Sequence, residues 1–168
     1  MARTQHTFNM SKTLYLIRGL PGTGKSTMGL KLADSYVSYH PTMGGPRHHS
    51  YAADDWFYND KGEYNFNPDE LANAHEECFS RVLGAMMSNV ENICVCNTFS
   101  QSWEAEPYFK VAKRNDYTVV VIECQTEFGN IHDCPQDKID LMAKRWDRSI
   151  DPSSSKRWER AEFEKQHD

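Results

Sequence analysis

Apolar and polar positions along this chain switch between a strand-like and a helix-like period. Thr13-Leu14-Tyr15-Leu16-Ile17-Arg18 is a short apolar and β-branched run ending at Gly19, which predicts a buried strand. A glycine-rich turn follows, and residues 25–36 then take helical spacing, with Met28, Leu32 and Tyr36 on one face. Pro41, Gly44-Gly45 and Pro46 make residues 37–47 a loop. Residues 49–53 predict a second short strand that delivers Asp54 and Asp55. Asn67-Pro68-Asp69-Glu70 predicts a helix start: Asn67 caps, Pro68 fits the first turn, and Glu70 reaches back to the cap. Leu71, His75, Cys78, Val82 and Met86 mark the inner face of the long helix that follows. A third strand is expected at 93–96, a helix at 103–113 and a fourth strand at 117–122. Pro135 opens a last helix with Ile139, Met142 and Trp146 inward. Strands alternating with helices, several of them continuous apolar runs, predict an α/β, three-layer fold around a mostly parallel sheet.

Size and composition narrow the setting. At 168 residues the chain is expected to hold one domain over 1–150, followed by a charged tail at 151–168 that is either a loose appendage or an added helix. A domain of this size needs no metal or disulfide staple. The five cysteines (Cys78, Cys94, Cys96, Cys124, Cys134) are odd in number and show no C-x-x-C spacing, so they read as small buried hydrophobes in a reducing, cytoplasmic setting. His48-His49 makes a poor metal pair without a third ligand nearby, and no Cys or His metal site is expected. No apolar stretch approaches the ~18 residues of a membrane span, and the amino terminus lacks the apolar core of an export signal. Net charge is −5, from 19 basic and 24 acidic residues, which excludes a protein that coats nucleic acid by global positive charge.

The strongest motif is Gly19-Leu20-Pro21-Gly22-Thr23-Gly24-Lys25-Ser26-Thr27. It fits G-x-x-x-x-G-K-[ST] and lies between a predicted strand and a predicted helix, the context this motif requires. Polyphosphate concentrates negative charge. Glycines let backbone N–H groups close around it, and the helix start near Lys25 directs its partial positive charge the same way. Gly22, Thr23, Gly24, Lys25, Ser26 and Thr27 are therefore the expected nucleotide-binding residues. Lys25 bridges the terminal phosphates and the Ser26 hydroxyl ligates Mg²⁺. Asp54, at the carboxyl end of the second strand, is placed to orient an acceptor hydroxyl and take its proton; Asp55 reads as a cap of the following turn.

These residues resemble the phage-type polynucleotide 5′-hydroxyl kinases and their cellular relatives, a group of P-loop kinases. The likeness runs from the phosphate loop through Ala53-Asp54-Asp55-Trp56-Phe57 and Gly62-Glu63-Tyr64-Asn65-Phe66-Asn67-Pro68. It continues through Ala74-His75-Glu76-Glu77-Cys78, Asn97-Thr98, Trp103-Glu104 and Pro107-Tyr108. It ends with Asn130-Ile131-His132 and the stretch Ile139 to Trp146, so that about residues 13–147 are covered. The resemblance implies a P-loop kinase fold, transfer of the γ-phosphate of ATP to a hydroxyl with Mg²⁺, Asp54 as general base, and Asn97 and Thr98 near the reacting groups. Three departures stand out. Gly129 replaces the arginine of the lid over the phosphates, Asp133-Cys134-Pro135 replaces Gly-Val-Pro, and Cys96 replaces an aspartate before Asn-Thr. An arginine finger is worth a factor of about 10³–10⁵ in rate. Either another cation substitutes, with Arg145, Arg148 and Arg18 as candidates, or kinase chemistry has weakened.

Local charge leaves the acceptor open. Residues 54–77 hold eight acids and one base, whereas residues 138–160 hold seven bases and four acids together with Trp146 and Trp158. Interleaved basic and aromatic groups suit a short single strand, and equally a solvated helix face. A polynucleotide 5′-hydroxyl, a hydroxymethylated base in DNA, and a nucleoside or small metabolite all remain possible acceptors, because the phosphate loop and Asp54 serve any hydroxyl. A nucleotide-binding module that has lost transfer is the rival from another class. A switch-type hydrolase is disfavoured, since no D-x-x-G segment follows the third strand.

Overall fold

A computed structural model of the chain describes residues 11–35, 49–129 and 133–151. Tyr36, His48, Asn130-Ile131-His132 and the tail residues Lys156, Arg157, Trp158 and Arg160 lie outside the described residues. Four parallel strands form one sheet: β1 (Thr13–Arg18), β2 (Ser50–Tyr51), β3 (Asn92–Cys96) and β4 (Thr118–Glu123), in the order β2-β3-β1-β4. Leu14 faces Ile93 on one side and Val119 on the other, which fixes β1 as the centre of the sheet. Parallel strands need crossovers, and helices supply them. Helix α1 (Lys25–Ser35) links β1 to β2, α2 (Leu71–Met87) links β2 to β3, and α3 (Ser102–Arg114) links β3 to β4; α4 (Gln136–Lys144) follows β4.

The period-2 alternation of the strands sorts the core into two faces. Leu14, Leu16, Ile93 and Val95 pack with Ala74, Cys78, Val82 and Met86 of α2 and with Ala105, Tyr108 and Phe109 of α3. Ile17, Cys94 and Cys96 point to the other face, towards Leu32 of α1. Three layers result, and each fully buried Leu or Ile contributes about 1.5–3 kcal/mol. Connections leave β1 towards β2 on one side and return past it from β3 to β4 on the other. A crevice therefore opens beyond the carboxyl ends of β1 and β3, where α/β sites form. Among the described residues, no helix is long and apolar enough to cross a membrane.

Several details differ from the pattern-based expectation. Met28 is exposed, and α1 instead turns Gly29 and Ala33 to the sheet. The helix approaches so closely that a Cβ on Gly29 would collide with the Cys96 thiol and lie 2.6 Å from Ser50 Oγ. In α2, Leu71 and His75 are exposed while Ala74 and Ala85 join Cys78, Val82 and Met86 inside. The second strand is only two residues long, and Asp54 and Asp55 lie in a 3₁₀ turn, Ala53–Phe57, rather than directly on a strand end. Asn67 does cap its turn, accepting from Asp69 N–H at 3.1 Å. Glu70 does not reach back, because its carboxylate accepts from Trp56 Nε1–H at 3.0 Å. β4 is half-exposed, with Val120 open on the sheet's edge. No residue of α4 is fully buried, and Trp146 lies beyond its last turn, where the chain after the helix folds back on the body.

Candidate active site

The phosphate loop forms where the sequence places it, between β1 and α1. Gly22 and Gly24 both take φ of 83°, a left-handed conformation that costs glycine little and L side chains much. The Leu20 carbonyl gathers three donors: Thr23 N–H at 3.3 Å, Thr23 Oγ1–H at 2.8 Å and Lys25 Nζ–H at 3.0 Å. Neighbouring segments brace the loop. Gly19 N–H donates to Thr98 O at 3.3 Å, Cys124 N–H to Arg18 O at 2.8 Å, and Phe128 N–H to Gly22 O at 2.9 Å. The Phe128 ring lies so close over Gly24 that a Cβ there would sit 2.8 Å from it.

Burial lowers the Lys25 pKa, since a charged ammonium loses water there, and the negative charge of Asp54 acts against that shift. The Asp54 charge, 29 positions away in sequence, is thus felt at Lys25. Ser26 and Thr27 are exposed at the start of α1. Ser26 lines a cleft of about 110 Å³ with Leu30, Ser50, Tyr51, Ala52, Asp55 and Cys96. An exposed hydroxyl oxygen next to the phosphate loop is the kind of hard donor that Mg²⁺ takes, so Ser26 fits the ion, whereas Asp55 on the same cleft is engaged by Arg81. Cys96 contributes no charge to it: burial pushes its thiol up to about 11, and its Sγ–H donates to Lys25 O at 3.4 Å.

Asp54 is exposed and accepts from the Tyr64 hydroxyl at 3.2 Å. Asp55 has a different task. Its Oδ2 accepts from Ala52 N–H at 2.9 Å and pairs with Arg81 at 3.1 Å, so it caps the turn as expected. Asn97 is buried; its Oδ1 accepts from Ala53 N–H at 2.9 Å and its Nδ2–H donates to Cys78 Sγ at 3.8 Å. It pins the residue next to Asp54 to the end of β3. Asn97→Ala is expected to leave the Ala53 N–H buried without a partner and to cost about 1–3 kcal/mol. Urea unfolding of Asn97→Ala against the unaltered protein checks this.

The cation candidates divide. Arg18 is fully enclosed and unsuited to a lid. Its Nε–H donates to Phe99 O at 3.1 Å, Nη1 pairs with Glu123 at 3.2 Å, and its guanidinium stacks 4.0 Å above the Trp146 ring. Arg145 Nε–H donates to Ser100 Oγ at 3.1 Å, and Arg148 is exposed beside it. Asp147 between them accepts from Ser102 N–H at 2.6 Å and caps α3. Among the described residues, no hydrogen bond ties Arg145 or Arg148 to the phosphate loop. Gly129 is exposed with φ of 96°. Sequence reasoning missed three members of the site: Tyr64, Arg81 and Phe128. Only Arg81 carried a local signal, its i,i+4 spacing from Glu77, with which it pairs at 2.9 Å.

No family model matches the chain. Human NEDD4-binding protein 2 is 30% identical over 146 residues, which make up 82% of this chain and 8% of that protein. The chain thus spans under a tenth of that relative's length. A provisionally named kinase from Chloroflexus aurantiacus superposes with a TM-score of 0.50 at 17% identity, over 69% of this chain and 60% of that one. An APS kinase from Mycobacterium tuberculosis superposes with a TM-score of 0.46 at 14% identity, over 80% of this chain and 93% of that one. The fold is that of the P-loop kinases. It carries the braced phosphate loop and the Asp54 turn at the carboxyl end of one parallel sheet.

Proposed function

We propose that the protein is an ATP-dependent kinase that transfers the γ-phosphate to a hydroxyl of a nucleic acid or nucleotide. One observation carries the reading: a complete phosphate loop whose lysine lies within the field of an exposed carboxylate, Asp54. The backbone amides of Gly22 to Thr27 cradle the phosphates, and Lys25 leaves the Leu20 carbonyl for the β- and γ-oxygens. Ser26 holds Mg²⁺, which when bound neutralises charge on the phosphates. Asp54 accepts the acceptor's hydroxyl proton. The acceptor oxygen forms a bond to the γ-phosphorus as the bond to the β–γ bridging oxygen breaks, and ADP leaves with that electron pair. Arg145 and Arg148, both beyond α4, are the candidates for the lid charge that Gly129 lacks. The kinase domain spans 1–150, with 151–168 as its charged tail.

The polynucleotide 5′-hydroxyl kinase resemblance supports the polymer acceptor, and the surplus of base over acid along residues 138–160 is a charge that suits it. A second reading, a nucleotide-binding module without efficient transfer, is favoured by Gly129 and by the uncharged Cys96. Incubation with γ-labelled ATP and a panel of acceptors tests both: a 5′-hydroxyl oligonucleotide, a nucleoside, DNA with hydroxymethylated bases, and small polyols. Label on one of the first three is the expected result. Label on polyols alone makes it a small-metabolite kinase, and tight nucleotide binding with no labelled product makes it a module.

A further inference from the structure

The segment that leaves β4 runs along the phosphate loop and is fastened to it at two points. Cys124 N–H donates to Arg18 O at 2.8 Å, and Phe128 N–H donates to Gly22 O at 2.9 Å. These bonds set the Phe128 ring beside Gly24. A Cβ on Gly24 would lie 2.8 and 2.9 Å from two adjacent ring carbons, Cε2 and Cδ2, and 4.0 Å from the next, Cζ. An atom above the ring would be more nearly equidistant from its carbons. The ring therefore meets the loop by one edge, and its faces take no part in the contact. Phe128 is 73% exposed. The residue after it adds no cover, because Gly129 has no side chain and a Cβ there would meet nothing within 4 Å. An aromatic face is thus held open to water on the rim of the phosphate loop.

The order of the sheet decides which end of a nucleotide comes here. β3 and β4 flank β1 on opposite sides. Asp54 belongs to the β3 side: it follows β2, and Asn97 Oδ1, just after β3, accepts from the neighbouring Ala53 N–H at 2.9 Å. In-line transfer places the γ-phosphorus between the acceptor oxygen and the β–γ bridging oxygen. A γ-phosphate turned to Asp54 therefore sends the α-phosphate, ribose and base the other way, across the loop to the β4 side. Phe128 stands on that side. Every nucleobase has a π-face that stacks on an aromatic ring, and stacking tolerates differences at the base edge.

We propose that Phe128 is the base-stacking residue of the donor subsite, taking the nucleobase of the triphosphate on a face of its ring. The proposal rests on the kinase reading above, which sets the direction of the triphosphate, and it adds a donor specificity. The base is held by its face, so adenine and guanine are nearly equivalent.

Binding is measured apart from transfer. Non-hydrolysable ATP and GTP analogues and inorganic tripolyphosphate are titrated into the full chain with Mg²⁺ and followed by calorimetry. The two analogues are expected to bind within about three-fold of each other. Phe128→Leu, which keeps an apolar side chain but no π-face, is expected to weaken both about ten-fold and to leave tripolyphosphate unchanged. Phe128→Trp is expected to retain both analogues, and thermal unfolding of each variant reports folding. Analogue binding unchanged in Phe128→Leu, a loss shared equally by tripolyphosphate, or a preference above about ten-fold for one base each overturns the proposal. Analogues bound as expected with no acceptor ever labelled leave the stack standing and remove the kinase reading. Labelled acceptor with analogue binding indifferent to Phe128 does the reverse.

Discussion

Lys25→Ala is expected to lower phosphoryl transfer by at least about 10²–10³ and to weaken ATP binding, with little loss of stability. The asymmetry follows from what Lys25 does in the fold. Its ammonium donates to the Leu20 carbonyl at 3.0 Å, and that carbonyl keeps two other donors, Thr23 N–H and Thr23 Oγ1–H, when the lysine goes. Alanine at the first position of α1 is a strong helix former. Burial already disfavours the Lys25 charge, so removing it relieves a desolvation cost in the absence of nucleotide. With triphosphate present the balance inverts, because the ammonium is then the compact positive charge next to the β- and γ-oxygens. Single-turnover transfer from γ-labelled ATP, calorimetric nucleotide binding and thermal unfolding separate these effects. Transfer within about three-fold of the unaltered protein would remove Lys25 from the phosphate site.

What the sequence made legible and what it hid follow one physical division. The phosphate loop was readable because its chemistry is contiguous: Gly19 to Thr27 hold the glycines, the lysine and the hydroxyl within one turn. Strand and helix types were readable because burial imposes a period, and Leu14, Leu16, Ile93 and Val95 share one face as alternation demands. Periodicity, however, reports which side chains favour burial and not how near two backbones come. Hence Met28 and Leu71, large and apolar, lie exposed, while Gly29 and Ala74 take the inward positions where a helix presses on its neighbours. Contacts set by tertiary closure left no local trace. Arg18 stacks on Trp146 across most of the chain, so the arginine that looked available for the lid is spent on anchoring the segment after α4. The resemblance implies that Asn97 lies near the reacting groups. Its side chain is turned to the Ala53 N–H, which makes it a positioning residue for the turn that bears Asp54.

Asp54→Asn separates the chemistry from the binding. The amide has nearly the shape of the carboxylate and keeps an oxygen to accept from Tyr64, whose hydroxyl is held protonated because burial and the Asp54 charge raise its pKa. The 3₁₀ turn is therefore expected to hold, all the more because it is fastened by Asn97 to Ala53 N–H and by Asp55 to Ala52 N–H, neither of which the substitution touches. What disappears is the negative charge and the ability to take a proton. General-base catalysis contributes about 10²–10⁴ in rate, and kcat is expected to fall by that factor. Nucleotide affinity is expected to hold or rise slightly, since a charge that would repel the triphosphate beside Lys25 is gone. This is the opposite signature to Lys25→Ala, which loses binding and transfer together. Asp55 is not expected to take over the role, because its Oδ2 is committed to the Ala52 N–H and to Arg81. Transfer at the unaltered rate in Asp54→Asn would place the base elsewhere; lost transfer with lost nucleotide binding would make Asp54 a structural support of the loop.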